Sequence, residues 1–227
     1  MHRSDFQKLL DIKKTQIEMV SDRGYEITPE EQIISSMNLD SFIDYLNGLA
    51  QSLPKGTVAR SLLSRSYLVK NEKDETVRSM LVYYAGRTQT TQKQITVEVV
   101  RDFIRTVQRY GINEAILIVD AQLSSIGETE LSALTLTKWQ VFFDNELTYN
   151  PTIHVDNQRH ELIAPDLQQE KLRELKVDKS KLLILKASDP IVRYYGWTAG
   201  NLIRIHRIDT VVSILAPKSS NYRIIVD

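Results

Sequence analysis

Residues 186–207, KASDPIVRYYGWTAGNLIRIHR, carry a complete local folding instruction. Ser188 or Asp189 supplies a side-chain oxygen that accepts from a free backbone N–H and starts a helix. Pro190 follows at the first helical position, where its missing N–H costs nothing. Ile191, Val192, Tyr194 and Tyr195 fill about one and a half turns. Gly196 then stands where helices end on a left-handed residue. Gly200 closes a short turn, and Leu202, Ile203 and Ile205 continue as a strand. A cap, a short helix, two glycine-controlled corners and a strand make a rigid presentation surface. Nothing in it is catalytic chemistry.

On either side of this stretch the elements are short. Asp166 is placed to cap a helix carrying Leu167, Leu172 and Leu175, and residues 181–186 form an apolar strand or turn. Residues 211–216 and 222–226 finish as strands. Residues 145–159 have little apolar periodicity and contain the turn-forming pair Asn150-Pro151, which marks a junction. The expectation is a small α+β C-terminal domain, residues 152–227.

The N-terminal part reads differently. Ser4 is placed to cap a first helix with Phe6, Leu9, Leu10, Ile17 and Val20 on one face. Gly24 ends it. Thr28-Pro29-Glu30-Glu31 reads as a capping box with proline just inside the next helix. Leu39, Phe42, Leu46, Leu49 and Leu53 make another amphipathic helix, closed by Pro54 and Gly56. Residues 67–70 and 77–84 read as strands around the polar turn 71–75. Residues 96–110 are the strongest helix in the chain, ended by Gly111. Residues 115–119 are continuously apolar, as in a strand buried on both faces. A helix over 127–134 and a strand over 139–143 follow. This alternation predicts an α/β domain with a mixed, partly parallel sheet, residues 1–151.

The chain has 227 residues, 42% hydrophobic and 26% charged, which suits a folded two-domain protein. Its 29 basic and 29 acidic residues balance, which argues against coating nucleic acid by bulk charge. Up to residue 159 there are 18 basic and 21 acidic residues, and beyond it 11 and 8, so the two parts carry −3 and +3. The absence of cysteine excludes disulfides, thiolate nucleophiles and zinc ribbons together. No apolar run approaches the ~20 residues of a membrane helix, and MHRSDFQKLL lacks the apolar centre of a signal peptide.

Pro165-Asp166 with Glu174-Leu175-Lys176 matches the acidic signature of metal-dependent nucleases, in which two carboxylates hold an ion that activates water. The intervening residues have helical periodicity, however. That separates Asp166 from Glu174 by roughly 12 Å along one axis, too far to share an ion. His2, His154, His160 and His206 have no ligand spacing, and no phosphate-binding loop or catalytic triad is legible. No catalytic residue, metal or cofactor is expected, and no small-molecule substrate. Arg101, Arg105 and Arg109 repeat every four residues on a face apart from the apolar one. Such a row can follow a phosphate backbone, and it equally fits a solvated helix face. Tyr194, Tyr195 and Trp197 suit a core, a protein interface or base stacking. Arg204, Arg207 and Arg223 suit pairing with a partner's carboxylates.

Asp189-Pro190, Tyr194, Gly196, Gly200, the following strand, and Tyr222-Arg223 together resemble one family. It is the small common subunit shared by eukaryotic nuclear RNA polymerases, together with its archaeal RNA polymerase counterpart. His160-Glu161-Leu162-Ile163-Ala164-Pro165 resembles that family's His-x-Leu-Val-Pro opening, and Arg23-Gly24-Tyr25 with Ile27-Thr28 its N-terminal signature. The resemblance implies a non-catalytic subunit whose C-terminal domain docks on the largest polymerase subunit; Asp189, Pro190, Tyr194, Gly196, Gly200, Tyr222 and Arg223 of the matched motifs, with Trp197, Arg204 and Arg207 on their own chemistry, are the docking candidates. It implies an N-terminal jaw near downstream duplex DNA; Arg101, Arg105 and Arg109, which lie outside the family's matched motifs, are the DNA-proximal candidates on their own spacing. It also implies contact with other polymerase subunits, a nuclear location and no membrane. The chain departs from the family at Asp166-Leu167, at Leu182-Leu183 and across residues 207–220. A virus-encoded member, in a cytoplasmic factory or virion, fits those departures. A stand-alone nuclease, or an adaptor with a non-polymerase partner, are the other classes.

Overall fold

The computed structural model describes residues 2–51, 59–70, 77–87, 93–154, 158–206 and 220–227. The chain divides into two compact units, Met1–Tyr149 and Asn150–Asp227. The first begins with three helices, α1 (Arg3–Asp22), α2 (Pro29–Ser36) and α3 (Leu39–Gln51). Helix α1 starts earlier than Ser4 predicts, because Asp5 reaches back to accept from the His2 N–H at 2.8 Å. The capping box of α2 forms as read: Thr28 Oγ1 accepts from the Glu31 N–H, and Glu31 accepts from the Thr28 N–H, both at 3.3 Å.

A 3₁₀ turn (Ala59–Leu63) leads into β1 (Arg65–Lys70) and β2 (Val77–Ala85). Then come β3 (Gln94–Ile95), α4 (Val97–Tyr110), β4 (Glu114–Val119), β5 (Gln122–Leu123), α5 (Ser125–Ser132) and β6 (Lys138–Phe143). The main sheet runs β1-β2-β4-β6, with β1 antiparallel to β2 and the other pairs parallel. Helices α4 and α5 are the crossovers that parallel pairing requires. Central β4 is buried on both faces from Ala115 to Val119, which is why it carries no alternation. One face, with Leu81, Ala85, Ala115, Leu117 and Val119, packs on Val100, Phe103 and Val107 of α4 and Leu131 of α5. The short parallel pair β3 and β5 has no counterpart in the sequence pattern, since two residues give no periodicity to read.

The other face of this sheet meets α1 through polar groups. Lys13 and Glu31 are 1% and 0% exposed, and their side chains pair at 2.7 Å. Lys13 Nζ also donates to Gln16 Oε1 at 2.7 Å and to the Leu63 carbonyl at 3.3 Å. The Tyr67 hydroxyl donates to Glu31, and Gln16 links the Tyr67 and Tyr84 hydroxyls. Burial pulls the Lys13 ammonium down to about 8, against the opposing pull of Glu31. Burial acts to raise the Glu31 carboxyl, but Lys13 and bonds from Tyr67 and Thr28 overcome it and hold that group below the usual carboxylate range. A second buried pair joins Arg60 to both oxygens of Asp144, at 2.7 and 2.6 Å.

The second unit opens with a 3₁₀ turn (Pro151–Ile153) and β7 (Arg159–Leu162). It continues with α6 (Gln168–Leu175), a 3₁₀ turn (Lys179–Lys181), β8 (Leu183–Lys186), α7 (Pro190–Tyr195), β9 (Leu202–His206) and β10 (Ser220–Val226). Its sheet runs β7-β9-β10-β8, antiparallel except for the parallel pair of β10 and β8. Leu185, Val192, Ile203, Ile205 and Ile225 form the core, with Leu162, Ala187 and Trp197 packed against it. The chain thus has an α/β unit with a mixed, partly parallel sheet and a small α+β unit. Asp166 does not cap α6. The Leu167 N–H bonds back to the Ala164 carbonyl at 2.9 Å, and this turn carries the backbone into the helix one residue later. The expected helix end at Leu53, Pro54 and Gly56, the turn 71–75 and the strand 211–216 lie outside the described residues. No helix among the described residues is long and apolar enough to cross a membrane.

Candidate partner-docking site

Of the two possible caps for α7, Asp189 is the one used. Its Oδ1 accepts from the Ile191 and Val192 N–H groups at 2.9 and 3.4 Å. Pro190 stands exposed at the first helical position. Gly196 ends the helix at φ 67°, a backbone region that glycine enters without strain. The Gly196 N–H then bonds the Arg193 carbonyl at 3.1 Å, and the Trp197 N–H bonds the Val192 carbonyl at 3.0 Å. Both otherwise orphaned carbonyls of the last turn are satisfied this way.

The second corner is tied to the sheet. Asn201 Oδ1 accepts from the Thr198 N–H at 3.0 Å, and Gly200, at φ 88°, donates its N–H to the Ile225 carbonyl at 2.9 Å. The Ile225 N–H returns a bond to the Asn201 carbonyl at 3.0 Å. Residues 189–201 are therefore held at the helix start, the helix end and the strand entry.

Tyr194 points inward. It is 1% exposed, and its hydroxyl accepts from Asn150 Nδ2 at 3.1 Å. Asn150 also accepts, through Oδ1, from the Thr152 N–H and hydroxyl at 2.8 Å. The Asn-Pro pair read as a junction thus belongs with the second unit and buttresses α7. A turn signal is visible in the sequence, but the partner of its amide lies 44 residues on. Tyr195 stacks on half-buried Trp197, with ring centroids 4.5 Å apart and planes 10° apart. Both rings of this plate are half-buried, and Trp197 also packs against the core of the unit.

The remaining candidates separate. Arg204 and Tyr222 are directly opposed across β9 and β10, on the sheet face away from Ile203, Ile205 and Ile225. Arg204 Nε donates to Ser220 Oγ at 3.1 Å, and Lys171 of α6 lies 5.6 Å from the Tyr222 ring centre. Arg223 is on the core-facing side, the side of Val192 and Trp197. Arg207 lies outside the described residues. The corner residues and Arg223 thus share one side of the unit, and Arg204 with Tyr222 lies on the other.

Arg101, Arg105 and Arg109 are all exposed on α4. Arg101 is engaged by Glu130 of α5 at 2.6 Å, and Arg105 by Asp102 at 3.3 Å. The row therefore includes two ion-paired groups. Asp166 lies in the turn before α6 and Glu174 near its end, so the helix separates the two acids. Among the described residues no group of three acidic or histidine side chains is placed to hold a metal. His206 pairs with Glu161 at 2.8 Å. Burial lowers the basicity of His160, whose Nδ1 lies against the Gln158 carbonyl.

Comparison with known proteins yields two family matches. Residues 3–107 match the RNA polymerase Rpb5 N-terminal domain, and residues 149–225 match the RNA polymerase Rpb5 C-terminal domain. A shared subunit of DNA-directed RNA polymerases I, II and III from Dictyostelium discoideum is 27% identical over 206 residues, 89% of this chain and 91% of its own length. Its counterpart in Caenorhabditis elegans is 24% identical over 222 residues, 96% of each chain. Subunit 5C of DNA-directed RNA polymerase V from Arabidopsis thaliana is 23% identical over 194 residues, 85% of this chain and 75% of its own.

Proposed function

Because the chain belongs to the RNA polymerase Rpb5 family, we propose that it is a non-catalytic subunit of a multisubunit DNA-dependent RNA polymerase. The observation that carries this reading is the order of the two domain matches along one chain, each on its own compact unit. The second unit docks on the largest subunit, and the first stands as a jaw beside downstream duplex DNA. Docking uses the fixed corner at Asp189, Pro190, Gly196 and Gly200, with the plate of Tyr195 and Trp197 beside it. A surface already ordered by its own hydrogen bonds loses little entropy when a partner covers it. Tyr194 contributes by holding α7 in place from below. Arg223 extends the docking side, and Arg204 and Tyr222 belong to a second contact on the opposite face. The relatives compared come from cellular eukaryotes and point to the nucleus as the compartment.

Purification of the full-length tagged chain from its native source tests the reading. Recovery of the two large polymerase chains at about one copy each supports it, and their absence from a soluble, folded preparation refutes it. Replacing Trp197 by alanine tests the corner: loss of the large chains, with the unit still folded, is the expected result.

A further inference from the structure

The sheet of the second unit has two outer strands, and they are finished differently. On β7, Arg159 and Glu161 are exposed, and Glu161 is paired with His206 at 2.8 Å. Charge along an edge is a common means of deterring pairing with a foreign strand. Strand β8 lacks that finish. Leu183 and Ile184 are 61% and 57% exposed. Neighbouring strand residues point to opposite faces, so apolar surface is bare on both sides of this edge.

The backbone of β8 is open as well. The Ala187 N–H donates to the Val226 carbonyl at 2.7 Å, which turns alternate residues 183 and 185 toward β10. The N–H and C=O of Ile184 and the N–H of Lys186 then face outward, while the Lys186 carbonyl accepts from the Asp189 N–H at 3.0 Å. Among the described residues no strand pairs with that side. Arg223 Nη1 reaches only to 3.5 Å from the Ile184 carbonyl, and its buried Nε has no hydrogen-bond partner among the described residues.

Charge selects the occupant. Residues 179–186, KSKLLILK, place Lys179, Lys181 and Lys186 around an apolar centre and contain no acid. Two copies pairing β8 to β8 would bring together two lysine-flanked edges that offer no acid to each other, and uncompensated like charge across a ladder is destabilising. A strand with an apolar centre and acidic flanks meets the leucine, the isoleucine, the lysines and the outward amides together. We propose that β8 is a docking edge, to which an extended, acid-flanked apolar segment of another polymerase subunit adds as a neighbouring strand. This rests on the reading of the chain as a polymerase subunit.

The test uses the full-length tagged chain with a photo-reactive benzoylphenylalanine replacing Leu183. Recovery of the large polymerase chains reports on the parent reading alone, and their absence defeats it. In enzyme so recovered, irradiation is expected to join position 183 to a peptide of another subunit that is apolar at its centre and acidic at its ends. Amide exchange at Ile184 and Lys186 should slow at least about tenfold relative to the free chain. Ile184→Pro removes an outward N–H and leaves the bonds to β10, so it should abolish the cross-link, whereas Ile184→Val should keep it. Unchanged exchange in the recovered enzyme overturns the proposal, and that measurement needs no variant. A cross-link only to residues 207–219 of the same chain, or only to a second copy, also overturns it.

Discussion

Replacing Lys13 by methionine keeps an apolar side chain close in size to the lysine stem and removes the ammonium. That ammonium is buried with Glu31 at 2.7 Å, Gln16 at 2.7 Å and the Leu63 carbonyl at 3.3 Å. Its loss leaves Glu31, 0% exposed, as a carboxylate held by Tyr67 and Thr28 without a countercharge. Removing one partner of a buried pair costs about 3–5 kcal/mol, since the other charge is left uncompensated. The retained bonds from Tyr67 and Thr28 place the expected loss near the lower end, about 3 kcal/mol. Adding Glu31→Gln removes the stranded charge and keeps an acceptor for Tyr67. The double variant should therefore recover about 1–2 kcal/mol of the loss in Lys13→Met, a coupling that a double-mutant cycle measures. The chain has two tryptophans, and Trp139 falls in the first unit and Trp197 in the second. Urea unfolding at pH 7 followed by Trp139 fluorescence in a Trp197→Phe background reads the first unit alone. A loss below about 1 kcal/mol in Lys13→Met, or strict additivity in the double variant, would refute the account of this network as a coupled buried pair.

The same lysine sets a pH dependence. Its folded-state value, about 8, lies below the ordinary 10.5, so between those values the unfolded chain binds more protons. The contribution of this group to stability therefore rises with pH from about 8 upward, by at most about 1.4 kcal/mol per unit. The rise should appear in urea midpoints between pH 8 and 10 and be absent in Lys13→Met. Gly196→Val should lower stability by about 1–3 kcal/mol through strain at φ 67°, and an unchanged melting midpoint would contradict that. Changing Arg101, Arg105 and Arg109 to glutamine should flatten the salt dependence of DNA retention by the purified polymerase; an unchanged slope leaves the row as a solvated face. In co-expression, residues 150–227 should recover the largest subunit and residues 1–149 should not, with the reverse pattern counting against docking through the second unit.

Much of this molecule is legible in its sequence because its signals are local. A helix cap, its proline and its terminal glycine lie within residues 189–196 and act on each other's backbone, so the Asp189 to Gly196 corner follows from the chain alone. Continuous apolarity over 115–119 likewise fixes a doubly buried strand, because polar groups at those positions would be left without water. Zero net charge and the lack of cysteine narrow the chemistry in the same direct way. Other features depend on residues that meet only after folding. Nothing around Glu31 distinguishes a capping-box glutamate on the surface from one buried against Lys13, 18 residues away. Asn150 reads as a turn residue until Tyr194 arrives to take its amide proton. Leu183 and Ile184 have the same apolar character as any core strand, and only the order β7-β9-β10-β8 leaves them on an open edge. Side-chain type sets what a residue can bond and bury. Which groups stand across from it is set by sheet order and helix packing, and those depend on contacts between residues far apart in the chain.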